Sequence, residues 1–140
     1  MMRWKYFDHT ADVMFEAYGK TLEEAFSNTC LAMFNILTDI TKVKQTVNFG
    51  IKVEASTKEK LLFDFIDELI FLMDTEFVLI SSVDNIRISQ KDGKYTLESS
   101  VSGDKSINYD THGDIKAPTY NEMSIKNDKT RYTLRVVVDI

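Results

Sequence analysis

Two short segments at opposite ends of the chain carry the side chains with the most chemistry. The first is YFDHTADVMFEAYG, Tyr6 to Gly19, where Asp8, His9, Thr10 and Asp12 interrupt an otherwise apolar run. The second is the final RVVVDI, where Asp139 follows three valines and Ile140, taken as the chain end, supplies an α-carboxylate beside it. Aspartates and a chain-end carboxyl are anionic at neutral pH, so neighbours at 139 and 140 repel each other. Brought near Asp12, they would repel further or attract a cation. An all-oxygen donor set suits a hard divalent ion, calcium first and magnesium second, over zinc or copper. The alternative is that Asp8 and Asp12 form a turn and Asp139 is a solvated strand end, since aspartate hydrogen-bonds its own backbone in turns. Spacing in sequence does not decide whether residues 12 and 139 meet.

Most other chemistries lack their residues. There is no phosphate-binding glycine loop, no dinucleotide fingerprint, no GxSxG elbow and no CxxC pair. His9 and His112 are the only histidines, which rules out a multi-histidine metal centre. Cys30 is alone, so it forms no intramolecular disulfide, and its place in a helical pattern makes it a small buried hydrophobe. A net charge of -5 argues against a long track for nucleic-acid phosphates. Tyr6, Phe7, Phe15 and Tyr18 are expected to pack, not to stack on bases. No run approaches the roughly 18 apolar residues of a membrane span and MMRWKYF has no signal-peptide character, so the expected compartment is the cytoplasm.

The elements that must position the two segments follow from periodicity. With 140 residues, 44% of them hydrophobic, and only one Pro and five Gly, the chain reads as a single domain, residues 1–140, without a linker. Trp4 to Phe7 and Val13 to Tyr18 are expected strands around the polar turn. Thr21 with Glu24 forms a capping box for a first helix running toward Asp39, with Leu22, Ala25, Phe26, Met33, Phe34 and Leu37 inward. Val43 to Ala55 alternates with period two and predicts a strand. Ser56 with Glu59 is a second capping box, opening a helix with Leu62, Phe65, Ile66, Leu69, Ile70 and Met73 inward. The remainder predicts strands at Asn85 to Gln90, Lys94 to Val101, Ile115 to Ala117, Glu122 to Ile125 and Thr130 to Asp139, with a loop over Ser102 to Gly113 and Pro118 at an edge or bend. Two helices on one face of a mainly antiparallel sheet make an α+β domain.

The segments FDHTADV, AYGKTLEEAF, LLFDFIDELIFLMDTE, IKAPTY and VVVDI, in this order over essentially the whole chain, together resemble the archease family. The HTAD turn combined with a terminal Asp-Ile is the specific part. The resemblance implies a small α+β protein that assists the RtcB-type tRNA-splicing ligase, promoting guanylylation of that ligase and its repeated turnover without being an enzyme itself. It places metal ligation on Asp12, Asp139 and Ile140. His9, Asp39 and Lys116 match further recurrent positions and are carried over as partner-contact or supporting residues. The chain departs from the pattern at Met14, Pro118 and Asn121, where glycine, valine and histidine are usual, so the resemblance carries no acid, base or ligand role over to the residue after Tyr120.

Two other function classes compete. A carboxylate metal-dependent phosphoesterase would turn over model phosphodiesters with added metal, and Asp12→Ala would abolish that turnover. An RNA-binding chaperone would give a salt-sensitive gel shift, which the acidic charge disfavours. The resemblance implies neither stable nucleic-acid binding nor a membrane.

Overall fold

The computed structural model describes residues 2–140. Seven strands and two long helices follow in the order β1 (Trp4–Phe7), β2 (Asp12–Gly19), α1 (Leu22–Asn35), β3 (Val47–Ala55), α2 (Lys58–Glu76), β4 (Val78–Lys91), β5 (Lys94–Lys105), β6 (Ala117–Asn127) and β7 (Tyr132–Asp139). The strands form two sheets where the sequence suggested one: β1-β2-β7-β6 and β3-β5-β4, with every pairing antiparallel. Alternation shows which face of a strand is apolar but not which strand it joins. Each helix packs on strands of both sheets. The core is therefore shared, built on Phe15, Phe26, Phe34, Phe65, Leu97 and Val136 among others.

Local chemistry sets the helix ends. Thr21 caps α1 by accepting from the Glu24 N–H at 3.1 Å, while Glu24 Oε1 accepts from the Lys20 N–H at 3.0 Å. Gly19 is required just before, because a Cβ there would lie 2.4 Å from the Ala25 nitrogen. The helix stops at Asn35, short of Asp39, because Asn35 turns its side chain to the chain ahead: Oδ1 accepts from the Ile40 N–H at 3.1 Å. For α2 the cap is Thr57, one residue after the expected Ser56, and it accepts from the Lys60 N–H at 3.0 Å, so Glu59 has no capping-box role. Phe77 ends α2 in the left-handed region, φ 54°, and the chain enters β4 at once. With no turn residue to punctuate that junction, the sequence placed the start of this strand too late, at Asn85.

Other boundaries differ as well, and β7 starts at Tyr132, two residues after the expected Thr130. β3 starts at Val47, since Val43 closes a 3₁₀ turn over Ile40–Lys42. β5 continues to Lys105, so the expected loop from Ser102 is shorter. The expected pieces Ile115 to Ala117 and Glu122 to Ile125 belong to one strand, β6, whose register shifts between Thr119 and Ser124. Pro118 lies in this strand at the edge of its sheet, where a missing N–H is tolerated.

Candidate metal centre

The carboxylates at the two chain ends meet because β2 and β7 are the central strands of the four-stranded sheet. β1 pairs with β2 only as far as Phe7 with Met14, and the Asp8–Ala11 turn, with Ala11 at φ 63°, connects them. Beyond that point β2 pairs with β7 alone, and its first residue Asp12 lies opposite Asp139, the last residue of β7. Ala117 of β6 lies opposite Asp139 from the other side, and the Lys116 N–H donates to the Asp139 carbonyl at 2.8 Å. Asp139 thus has neighbours on both edges.

Successive residues of a strand alternate faces, so the opposed pairs Asp12 with Asp139, Met14 with Val137 and Glu16 with Arg135 form one ladder. The other face, with Phe15, Val136 and Val138, belongs to the shared core. Within the ladder, Arg135 donates through Nε and one Nη to Glu16 Oε2 at 3.2 and 3.0 Å, an attractive pair. Asp12 and Asp139 are the repulsive pair at its end. Directly opposed residues bring their Cβ atoms to about 4.5–5.5 Å, close enough for two carboxylates to share one cation.

His9 stands over this end. Its Nε2 lies 2.9 Å from Glu122 Oε2, and its Nδ1 lies 3.8 Å from Asp12 Oδ2. Nδ1 is buried and, among the described residues, is the only buried side-chain nitrogen or oxygen without a hydrogen-bond partner. Glu122 reaches His9 from the irregular part of β6, itself at φ 54°. The Asp12 side chain is 27% exposed. Among the described residues no three His, Cys, Asp or Glu side chains form a ready cage. The residues fit a divalent ion in kind: two opposed carboxylates and an orphaned ring nitrogen, with Ile140 next to them 44% exposed.

The remaining expected site residues separate. Asp39 is a structural cap: its Oδ1 accepts from the Thr41 N–H at 3.1 Å and from the Thr41 hydroxyl at 2.6 Å, and the hydroxyl bond, more than any other cause, holds its carboxyl below the usual range. Its carboxylate is engaged locally and makes no contact with Asp12 or Asp139. Before it, Asn35 Nδ2 donates to the Tyr6 hydroxyl at 3.2 Å and that hydroxyl donates to the Ala32 carbonyl at 2.7 Å. Lys116 contributes a backbone N–H to Asp139, and its residue is exposed. Glu122 escaped sequence reasoning, since its direction depends on a register shift that no pattern of residue types announces.

The model of the Archease protein family matches residues 4–140. The chain belongs to the archease family. It is 36% identical over 143 residues to the archease of Pyrococcus furiosus, covering 100% of both chains. It is 38% identical over 144 residues to that of Methanosarcina barkeri, covering 99% of this chain and 96% of the other. The solution structure of Methanobacterium thermoautotrophicum protein 1598 superposes with a TM-score of 0.87 at 33% identity over 100% of both chains. An archease from Thermotoga maritima, described as a possible chaperone, shares the fold at a TM-score of 0.58 and 22% identity, over 100% of this chain and 98% of that one. Among the described residues no helix is long and apolar enough to cross a membrane.

Proposed function

We propose that the chain is a non-enzymatic activator of an RtcB-type RNA ligase, acting in the cytoplasm in tRNA splicing and RNA repair to promote guanylylation of the ligase and its repeated turnover. The observation that carries this reading is the opposed pair of Asp12 and Asp139 on central strands. Two like charges directly opposed in a sheet are destabilising, so their placement makes sense as a receptor for positive charge. Asp12, Asp139 and the α-carboxylate of Ile140 would hold a divalent ion, calcium or magnesium by their oxygen chemistry. When bound, the ion supplies positive charge of the kind on which phosphoryl transfer depends. The exposed ammonium of Lys116 beside this end is a point charge for an acidic or phosphate group of the partner.

The chaperone description of the Thermotoga maritima relative is compatible with a protein that acts on another protein.

The test measures transfer of labelled guanylate to a cognate ligase, separately from sealing, with the chain present at substoichiometric levels. Wild-type protein should accelerate the transfer and sustain many rounds. Asp12→Ala and Asp139→Ala should remain folded and lose the acceleration, because they remove charge without touching the core. No acceleration by the wild type, or full acceleration by the folded variants, refutes the assignment.

A further inference from the structure

His9 is the one group at this end that neither the turn nor the paired carboxylates explain. A carboxylate only accepts hydrogen bonds, so the 2.9 Å contact with Glu122 Oε2 makes Nε2 the protonated ring nitrogen. In the neutral ring Nδ1 then carries a bare lone pair. That lone pair is buried, has no hydrogen-bond partner, and faces Asp12 Oδ2, a second electron-pair donor, at 3.8 Å. The separation is too long for a hydrogen bond. It suits two ligands of one ion, since bonds of about 2.0–2.4 Å drawn from both atoms meet between them.

We propose that His9 Nδ1 is a direct ligand of the divalent ion assigned to Asp12 and Asp139, with Glu122 holding the ring in the required tautomer; this rests on the ion-binding part of the reading above. A carboxylate that accepts from the far nitrogen of a ligating imidazole fixes its orientation and raises its basicity. The backbone supports this role from both sides. Ala11, two residues after His9, has φ 63°, and Glu122 has φ 54° at the register shift of β6. Non-glycine residues in that region carry strain that surrounding structure must hold in place, and here it aims Glu122 at the ring. With an imidazole in the set, the donors are mixed nitrogen and oxygen. The preference therefore moves from calcium toward borderline ions such as zinc and manganese.

The test needs no ligase, which keeps it separate from the activator assignment. Protein labelled with ¹⁵N-histidine is titrated with zinc and observed by long-range ¹H–¹⁵N NMR, with His112→Gln used to assign the second ring. The Nδ1 resonance of His9 should move on zinc binding while Nε2 keeps its proton. Calorimetric titrations should show zinc and manganese binding more tightly than calcium. His9→Ala should weaken zinc by more than the about 10- to 100-fold that loss of an outer-shell partner costs, while changing calcium little. Glu122→Ala should weaken zinc in part, and Glu122→Gln, whose amide oxygen can still accept from Nε2, should recover much of the loss. An unmoved Nδ1 resonance in the zinc-bound protein, or equal zinc affinity in wild type and folded His9→Ala, overturns the assignment and leaves a carboxylate-only site. Failure of zinc, manganese and calcium alike to bind overturns both the His9 assignment and the ion site.

Discussion

Replacing Asp139 with asparagine should change the sign of its effect with the ion supply. The substitution removes one charge from a directly opposed pair and leaves size and backbone hydrogen bonds alone. Without a divalent ion, like charges opposed across strands are destabilising, and if the cost is the size of the gain from an opposite-charge pair, about 0.2–1 kcal/mol, Asp139→Asn should be more stable than wild type by that amount. For a domain of this size about 1 kcal/mol moves the melting midpoint by about 3–4 °C, so the gain is about 1–4 °C. With an ion at about 100 times its dissociation constant, the wild type gains about 2.7 kcal/mol by mass action, or about 10 °C. The variant, lacking one anionic ligand, should lose most of that gain. The order of the two melting curves therefore reverses between chelator and excess calcium or zinc. The assay is thermal unfolding followed by circular dichroism at low ionic strength, where the repulsion is least screened. A variant no more stable than wild type in chelator and equally stabilised by ion would show that residues 12 and 139 neither repel nor share a ligand.

Two further substitutions test the fold that carries the site. Phe65→Ala, at a fully buried ring 5.6 Å from that of Phe26, should cost about 3–5 kcal/mol by chemical denaturation, whereas Lys58→Ala, at the start of the same helix, should scarcely move the midpoint. Asp104 accepts from the Thr46 hydroxyl at 2.5 Å, the Tyr109 hydroxyl at 2.7 Å and the Lys105 N–H at 2.9 Å, and these bonds, Thr46 first, hold its carboxyl down at about 2. Because the folded value is depressed, its contribution is complete above the unfolded value of about 3.9 and is lost as pH falls toward 2. Asp104→Asn should lower stability at pH 7 and flatten the pH dependence below about pH 4; an unchanged acid-unfolding curve would refute that role.

What the sequence made legible divides by the range of the interaction. Thr21 as a cap, the inward stripes of both helices and Cys30 in the core follow from local spacing, and the structure has all three, with burial pushing the Cys30 thiol up. Thr57 displaced Ser56 as cap because either hydroxyl satisfies the local pattern and the preceding strand, ending at Ala55, decides between them. Asp104 was read as part of a loop, since no periodicity records that Thr46 and Tyr109 converge on it to satisfy a buried carboxylate. At the candidate centre, the types of Asp12 and Asp139 were visible and their meeting was not. Pairing of a first-hairpin strand with the last strand is a property of topology.

That topology also explains how the sheet tolerates its repulsive end. Val136, Val137 and Val138 are fully buried just before Asp139, as is Phe15 across from Val136. Complete burial of such side chains contributes about 1.5–3 kcal/mol each, well above the 0.2–1 kcal/mol lost to opposed like charges. Arg135 with Glu16 adds an attractive pair on the same ladder. The register of β2 on β7 is therefore set by apolar residues, since a one-residue slip would move Val136 and Val138 off the core face. Asp12 and Asp139 are held opposite each other whether or not a cation is present. An ion bound there, as proposed, would have little folding to accomplish, and its binding free energy would add to the stability of a centre whose opposed carboxylates are already in place.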